Sequence, residues 1–484
     1  MSLPHAMDPE AFRRLGHRAV DLVAEALREL PKRPVFIPMT PEARRSLLDE
    51  RLPQRGRDAG ALLDRFETDV LPHPMGNGHP RFFGWVNSPP ALLGVLGDFL
   101  AAAMNPSCAG GDHAAIYLER CVTRWLMELV SFPVAGSMGL LVSGGSMATM
   151  TCLAAARHRA AMAAGIDDRQ AGLHGLRLAI YTSSEGHSSV QKSIELLGLG
   201  RESLTTVPSD RHGRIDVAAL TAAIARERGT GRRPFCVVAT AGTAATGAMD
   251  PLDALADLCA REKLWLHVDG AYGAIAGAAP ERAARYRGLE RADSIAIDPH
   301  KWLSVPVECG CALVRDGALL RDTFSLVPSY LRTEEGKGFG GPPWFSEYGF
   351  QQTRGFRALK LWLVLQQLGV EGVRALVSRH LALAERLAQM IDAVPVLERV
   401  SEPELSIVCF RFRPRTGALD DPAIDDLNKR VMETVQSEGR AFLTNASIGG
   451  RFALRACVLH FGTTEADLAA LLDAVVDAGK RLTS

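Results

Sequence analysis

Ser294-Ile295-Ala296-Ile297-Asp298-Pro299-His300-Lys301-Trp302 is the stretch from which the fold of this 484-residue chain is read. Ser294 to Ile297 has the length and side-chain character of a buried strand. Pro299, which has no N–H to give a central ladder, ends it. Lys301 is thereby presented just past a strand end, where open α/β sheets place their ligand sites. Beside a histidine, such a lysine is a candidate for Schiff-base chemistry with a carbonyl compound. A loop lysine is ordinarily only solvated, so this reading depends on the rest of the chain.

Similar apolar runs recur on either side, at Gly139 to Val142, Leu178 to Thr182, Phe235 to Ala239, Leu264 to Val268 and Ala312 to Val314. Each ends in a Gly, Ser, Asp or Pro turn, and most are separated by helix-length segments. This alternation predicts an α/β fold with a mostly parallel, helix-covered sheet. Before it, Asp8-Pro9-Glu10 opens an amphipathic helix that Pro31 and Pro34 close, and an arm through Pro38 and Pro41 leads to a second amphipathic segment near Ala59 to Val70. These helices can hardly form a core alone, so they are expected to pack on something larger. After Arg357 to Leu368, a strong helix, residues to 484 alternate helices with strands such as Leu405 to Phe412 and Phe452 to Leu459. The expected division is residues 1–78 as an N-terminal helical arm, 79–368 as the large domain and 369–484 as a small α/β domain.

Lys+Arg and Asp+Glu both number 55, which removes any global charge argument for a nucleic-acid or membrane partner. The nine cysteines are scattered and mostly lie in apolar runs, as small core residues would. They fit a reducing, cytoplasmic setting. No signal peptide is evident, and the longest apolar stretch, Pro89 to Met104, is broken by Asp98 and too short to span a membrane. The Gly- and Pro-rich stretch Ser329 to Thr353 reads as a long surface loop of the kind that often forms a lid.

Three further strand ends give the lysine its context. Val142-Ser143-Gly144-Gly145-Ser146 is a small-residue turn opening a helix, where backbone amides and the helix N-terminus favour a phosphate dianion. His267-Val268-Asp269-Gly270-Ala271-Tyr272 leaves a carboxylate at a strand end, where it needs a cation or donors. Asp269 could pair with the protonated ring nitrogen of pyridoxal phosphate. Glu185-Gly186-His187 places a histidine between a strand and a helix, ready to stack on a flat ring or meet a carboxylate. Asp269 precedes Lys301 by about one helical crossover, which fits two strand ends lining one crevice.

In this order, His-Val-Asp-x-Ala-Tyr followed by Pro-His-Lys-Trp closely resembles the group II pyridoxal-phosphate-dependent amino-acid decarboxylases, the family of aromatic amino-acid, glutamate and histidine decarboxylases. The likeness runs from the helix at Phe12 through His79-Pro80-Arg81-Phe82-Phe83 and Arg354-Gly355-Phe356-Arg357 into the C-terminal domain. It implies a fold-type I enzyme with a seven-stranded sheet, acting as a homodimer with its active site at the interface. Lys301 would carry the cofactor as a Schiff base, Asp269 would keep the pyridine nitrogen protonated, and His187 would stack on the ring face opposite Ala271. Gly145, Ser146 and His300 would bind phosphate, with Thr243 near the ring. Asp298 stands where animal aromatic decarboxylases carry asparagine, so its phosphate-side contact is a departure. The implied reaction is loss of CO2 from an L-amino acid through a quinonoid intermediate, giving an amine.

In the family a loop tyrosine delivers the final proton. Counting back from Arg354 without gaps lands on Phe345, whereas a three-residue deletion aligns Glu347-Tyr348 with the family's acid–tyrosine pair. Tyr348 is preferred, because glycine-rich loops tolerate deletions. The substrate pocket would draw on Trp85 and Ser88 and on Asn105 to His113, where small and polar residues replace bulky aromatics. An aromatic substrate is the preferred reading. A smaller or acidic one, and an oxidative aldehyde synthase on the same scaffold, are the alternatives, and a cofactor-binding pseudoenzyme is disfavoured by the intact Lys301, Asp269 and His187.

Overall fold

A computed structural model describes residues 7–326, 344–415 and 419–484. The chain divides into two compact units. One comprises residues 86–388 and 401–409, the other residues up to 85 with 389–400 and 410–484. The expected divisions at 78/79 and 368/369 differ from these: His79 to Trp85 belongs with the C-terminal residues, and the long helix after Arg357 runs past the second division.

In the larger unit the helices are α4 (Leu92–Met104), α5 (Ala114–Leu129), α6 (Gly145–Met162), α7 (Asp168–Ala171), α8 (Ser189–Leu196), α9 (Val217–Gly229), α10 (Leu252–Glu262) and α11 (Gly317–Phe324). The strands are β1 (Met138–Val142), β2 (Leu178–Ser183), β3 (Leu204–Val207), β4 (Arg233–Thr240), β5 (Trp265–Asp269), β6 (Ser294–Ile297) and β7 (Gly310–Val314), in the order β1-β7-β6-β5-β4-β2-β3. The sheet is parallel except at β7, which runs antiparallel to both β1 and β6. Seven strands, mostly parallel, match the sequence expectation. The short, half-buried edge strand β3 was not expected, because Leu-Thr-Thr-Val carries no continuous apolar run. All residues of β2, β5, β6 and β7 are buried, as strands covered on both faces must be.

In the other unit α1 (Pro9–Glu29) starts where expected, the Asp8 carboxylate accepting from the Glu10 and Ala11 amides, both at 3.0 Å. The arm through Pro41 is itself a helix, α2 (Pro41–Leu48), capped by Thr40. Proline at the first helical position gives up an N–H that would have no partner anyway, so Pro41 begins a helix here and does not break one. The segment from Ala59 splits into α3 (Ala59–Arg65) and one wider turn over Phe66–Val70. Helix α12 (Arg357–Asp392), which up to Ala388 belongs to the larger unit, continues 24 residues beyond the expected end at Leu368 but is interrupted there by Gly369 at φ 59°. A four-stranded sheet in the order β10-β11-β9-β8 is formed by β8 (Leu397–Arg399), β9 (Ile407–Phe412), β10 (Thr444–Ile448) and β11 (Arg451–Cys457). The remaining helices are α13 (Asp421–Glu438) and α14 (Glu465–Thr483). Asn428 of α13 answers both main-chain groups of Phe412.

Of the expected lid, residues 329–343 lie outside the described residues. The rest is anchored, with Phe345 fully buried beneath the Arg354 guanidinium, 5.0 Å from its ring centre. Arg354 itself forms a buried ion pair with Glu119 and donates to the Cys108 carbonyl at 2.9 Å, while Glu119 accepts from the Leu141 amide at 3.0 Å. All nine cysteines are free thiols, and burial pushes Cys152 and Cys309 up to about 12, as core residues require. Among the described residues no helix is long and apolar enough to cross a membrane.

Glu119 and Arg354 are both inaccessible, so removing one leaves the other charge buried and unpaired. Glu119→Ala should lower unfolding stability by roughly 3–5 kcal/mol, read as a fall in the denaturant midpoint.

Candidate active site

The parallel pairing of β5 with β6 sets Asp269 opposite Ala296, two residues before Asp298. Past the strand ends the chains stay laced together, Gly270 N–H donating to Ala296 O at 3.0 Å and Asp298 N–H to Ala271 O at 3.1 Å. A turn closed by Lys301 N–H on Asp298 O (2.9 Å) then brings the lysine back over its own aspartate. Lys301 Nζ lies 3.2 Å from Asp298 Oδ2, and His300 Nε2 lies 3.7 Å from the same oxygen. Asp298 is 3 % exposed, and its Oδ1 has no hydrogen-bond partner among the described residues. Burial lowers the His300 pKa against the opposing field of Asp298, which favours the neutral ring.

The Gly-Ser turn meets this lysine loop. A Cβ on Gly145 would sit 3.0 Å from both Ala271 Cβ and Asp298 Oδ2, and one on Gly144 would come within 3.4 Å of His300 Cε1. Gly310, which opens β7, packs so closely on the Gly144 backbone that a side chain there would collide with it. Because β7 is antiparallel, its beginning lies at the same sheet edge as the ends of β1, β5 and β6. Ser146, in the first turn of α6, is exposed. Ser88 is buried, and its hydroxyl donates to the His300 carbonyl at 3.2 Å.

Asp298 is thus the hub of the group, facing Lys301, His300, Ala271 and the Gly145 backbone, with Asp269 and Ser88 adjoining. His187 follows β2 and is exposed, its Nδ1 held by Ser189 Oγ at 2.8 Å. Thr243 is fully buried, and its hydroxyl is taken by Thr246 at 3.1 Å and by the Ala248 amide at 3.0 Å. Trp85 belongs to the other unit, where it is 49 % exposed and packs on Phe82 and Phe442. Tyr348 is not brought to Lys301 by any contact among the described residues. The charges acting on it are Arg321, Glu347 and Arg120, and burial raises its phenol. Of the small residues in the 105–113 stretch, Gly110 has a packing cause, because the Trp344 ring lies directly against it.

Two features were not read from the sequence. The Trp302 ring stacks on Tyr272 (centroids 5.1 Å apart, planes at 11°), and the Tyr272 hydroxyl lies 2.6 Å from Ser406 Oγ, so the residue after Lys301 is fixed to the turn after Asp269. Thr240, paired with Asp269 across β4–β5, and Thr182, at the end of β2, have buried hydroxyls without partners among the described residues. Both are isolated Thr residues in apolar runs and carry no sequence signal.

A lysine, a ring-facing carboxylate and a helix N-terminus at one edge of a mostly parallel sheet define a pyridoxal-phosphate enzyme of fold type I. The family described as the pyridoxal-dependent decarboxylase conserved domain matches residues 41–413. The chain is 34 % identical over 464 residues to an aromatic-L-amino-acid decarboxylase of Bacillus atrophaeus, covering 96 % of this chain and 94 % of the relative. It is 30 % identical over 462 residues to tryptophan decarboxylase 2 of Oryza sativa, covering 93 % and 91 %. Among solved structures, Oryza sativa TDC with PLP and tryptamine superposes over 100 % of both chains with a TM-score of 0.92 at 27 % identity, and mouse CSAD over 97 % and 99 % with a TM-score of 0.89 at 29 %. The chain belongs to the pyridoxal-dependent decarboxylase family and is a PLP-dependent amino-acid decarboxylase.

Pyridoxal phosphate fits these residues. Asp269 is nearly buried with one oxygen engaged by the Ala271 amide (3.2 Å), which leaves acceptor capacity for a protonated ring nitrogen. The first amides of α6 have no carbonyl partner within the helix, and Gly144 leaves them uncovered for a phosphate. Gly145→Ala would push a methyl into Ala271 and Asp298. An overpacking penalty of about 1.4 kcal/mol corresponds to about tenfold weaker cofactor retention on dialysis, with the circular dichroism spectrum unchanged.

Proposed function

We propose that this enzyme removes CO2 from an aromatic L-amino acid and releases the amine. The observation that carries the reading is the convergence of Asp269, Asp298, His300, Lys301 and the Gly144–Ser146 turn at one sheet edge, in a chain so similar along its length to an aromatic-L-amino-acid decarboxylase.

Pyridoxal phosphate, when bound, supplies the electron sink for the bond broken as CO2 leaves. Lys301 would hold it covalently through Nζ, and Asp298, 3.2 Å from that nitrogen, would stabilise its ammonium form. Asp269 would keep a proton on the ring nitrogen, and His187 would stack on the ring. Gly145, Ser146 and His300 take the phosphate. Thr243, whose hydroxyl is already satisfied, acts through shape at the ring edge. Trp85 and Ser88 are proposed to line the substrate pocket. Tyr348 is the proposed donor to Cα, and burial raises its phenol pKa.

A homodimer is the proposed assembly. No residue of α1 is buried, and Phe12, Val20, Val23 and Leu27 are exposed on it. Helix α4 buries Gly94 and Gly97 and shows Leu92, Val95, Leu96, Phe99 and Leu100 to solvent. Faces of this kind mark protein–protein contacts. The proposed location is the cytoplasm, where nine free thiols persist. The second reading, an aldehyde synthase, draws on 28 % identity over 100 % of this chain to phenylacetaldehyde synthase of a Rosa hybrid cultivar.

Following CO2, ammonia and peroxide together over a panel of amino acids should show CO2 without ammonia or peroxide, fastest on aromatic substrates. Lys301→Ala should abolish CO2 release, and borohydride should fix the cofactor on Lys301 in the wild type only. Tyr348→Phe should depress amine formation and raise aldehyde and peroxide, and unchanged product ratios would refute the donor assignment. Light scattering should return twice the chain mass, with Phe99→Asp shifting the population towards monomer.

A further inference from the structure

A cavity of about 640 Å3 opens at the end of the large sheet opposite Lys301, where β4, β5 and β6 begin. Five separate segments each place one cation around it, namely Arg159, Arg233, Lys263, Arg291 and Arg315, against two acidic side chains, Glu290 and Asp293. Asp293 is spent on Arg159 (3.1 Å) and on the Leu266 amide (2.8 Å), and Arg291 is matched by Asp253 and Asp257. Arg233, Lys263 and Arg315 then face Glu290 as the remaining acid of the lining, a surplus of two positive charges. Arg233 donates to the Ala163 carbonyl at 3.1 Å, and Arg315 donates to the Ala292 carbonyl at 2.9 Å and to that of Glu290, so both meet only neutral oxygens. Lys263 is exposed at the left-handed end of α10 (φ 57°), with no carboxylate partner among the described residues. The C-termini of α6 and α10 also reach the cavity and would repel an anion, but half a charge each does not cancel the surplus. The floor is apolar, with Phe235, Leu264 and Leu266 buried beneath the rim.

We infer that this cavity is a second ligand site, distinct from the cofactor site, for an organic phosphate that lays a planar ring on the Phe235–Leu266 floor and its charge among Arg233, Lys263 and Arg315. The volume lies within the range of small-molecule sites. Unmatched guanidinium and ammonium groups over an apolar base suit a molecule with both a flat apolar part and at least two negative charges, as a nucleoside diphosphate has. Inorganic polyphosphate would use the rim alone, and an uncharged nucleoside the floor alone.

The test is calorimetric titration of the holoenzyme, its cofactor site filled, at low ionic strength, with ADP, pyrophosphate and adenosine. ADP should bind saturably at one per chain, with pyrophosphate and adenosine each at least tenfold weaker. Lys263→Asn removes the charge while keeping a residue that tolerates the left-handed conformation, and should weaken ADP roughly fivefold, the upper range for a solvated ion pair. Arg315→Met, which keeps the packing against Phe132, should do the same, and the cofactor absorbance should not change in either variant. Absence of saturable ADP binding, binding indifferent to Lys263→Asn, or pyrophosphate binding as tightly as ADP would overturn the assignment. If Arg315→Met fails to fold, the Lys263→Asn comparison decides alone.

Discussion

Everything at the active site depends on the register between β5 and β6. Parallel pairing that sets His267 opposite Ser294 and Asp269 opposite Ala296 fixes where both strands stop. The carboxylate of one then stands beside the turn that returns Lys301 over Asp298. A slip of one residue would turn every side chain to the other sheet face. It would also separate Asp269 from Lys301. The register is held from several sides. His267 Nδ1 and the Trp265 indole both reach Ser294 Oγ, at 2.9 and 2.7 Å, and burial lowers His267 to about 4, so its ring is neutral in that apolar layer. Beyond the strands, Trp302 stacks on Tyr272.

A second constraint is the close approach of backbones at the phosphate turn. Gly310 and Gly144 touch without side chains, and that contact brings antiparallel β7 and the N-terminus of α6 together. The antiparallel strand thereby puts its beginning, rather than its end, at the functional edge. The Glu119–Arg354 pair continues this framework outward, joining α5, the Leu141 main chain and the segment around Cys108. A buried ion pair of this kind is retained more for fixing one arrangement than for net stability.

Much of this was legible in the sequence. The apolar runs at Leu178, Phe235, Leu264 and Ser294 were read as strands because parallel strands are buried on both faces and so are apolar throughout. The lysine, the strand-end Asp269 and the Gly-Ser turn were legible because each pairs a chemically demanding residue with a turn signal. Short β3 was missed, and so was α2, whose prolines read as an extended arm. Helix α12 was cut at Leu368, where Gly369 does break the local geometry but the helix resumes. In each case tertiary packing or cap chemistry outweighed the local pattern.

The sequence by itself determined the fold class, the family and the candidate reactive groups, because these follow from residue type and order. Only the tertiary structure decided which groups meet. It placed the Asp298 carboxylate against Lys301 and His300, gave Gly110 a packing cause in Trp344, and surrounded Tyr348 with Arg321 and Glu347. It also gathered Arg233, Lys263 and Arg315 from distant parts of the chain around one cavity. Distances between residues far apart in sequence are set by strand order and helix packing, and no local pattern of side chains encodes them.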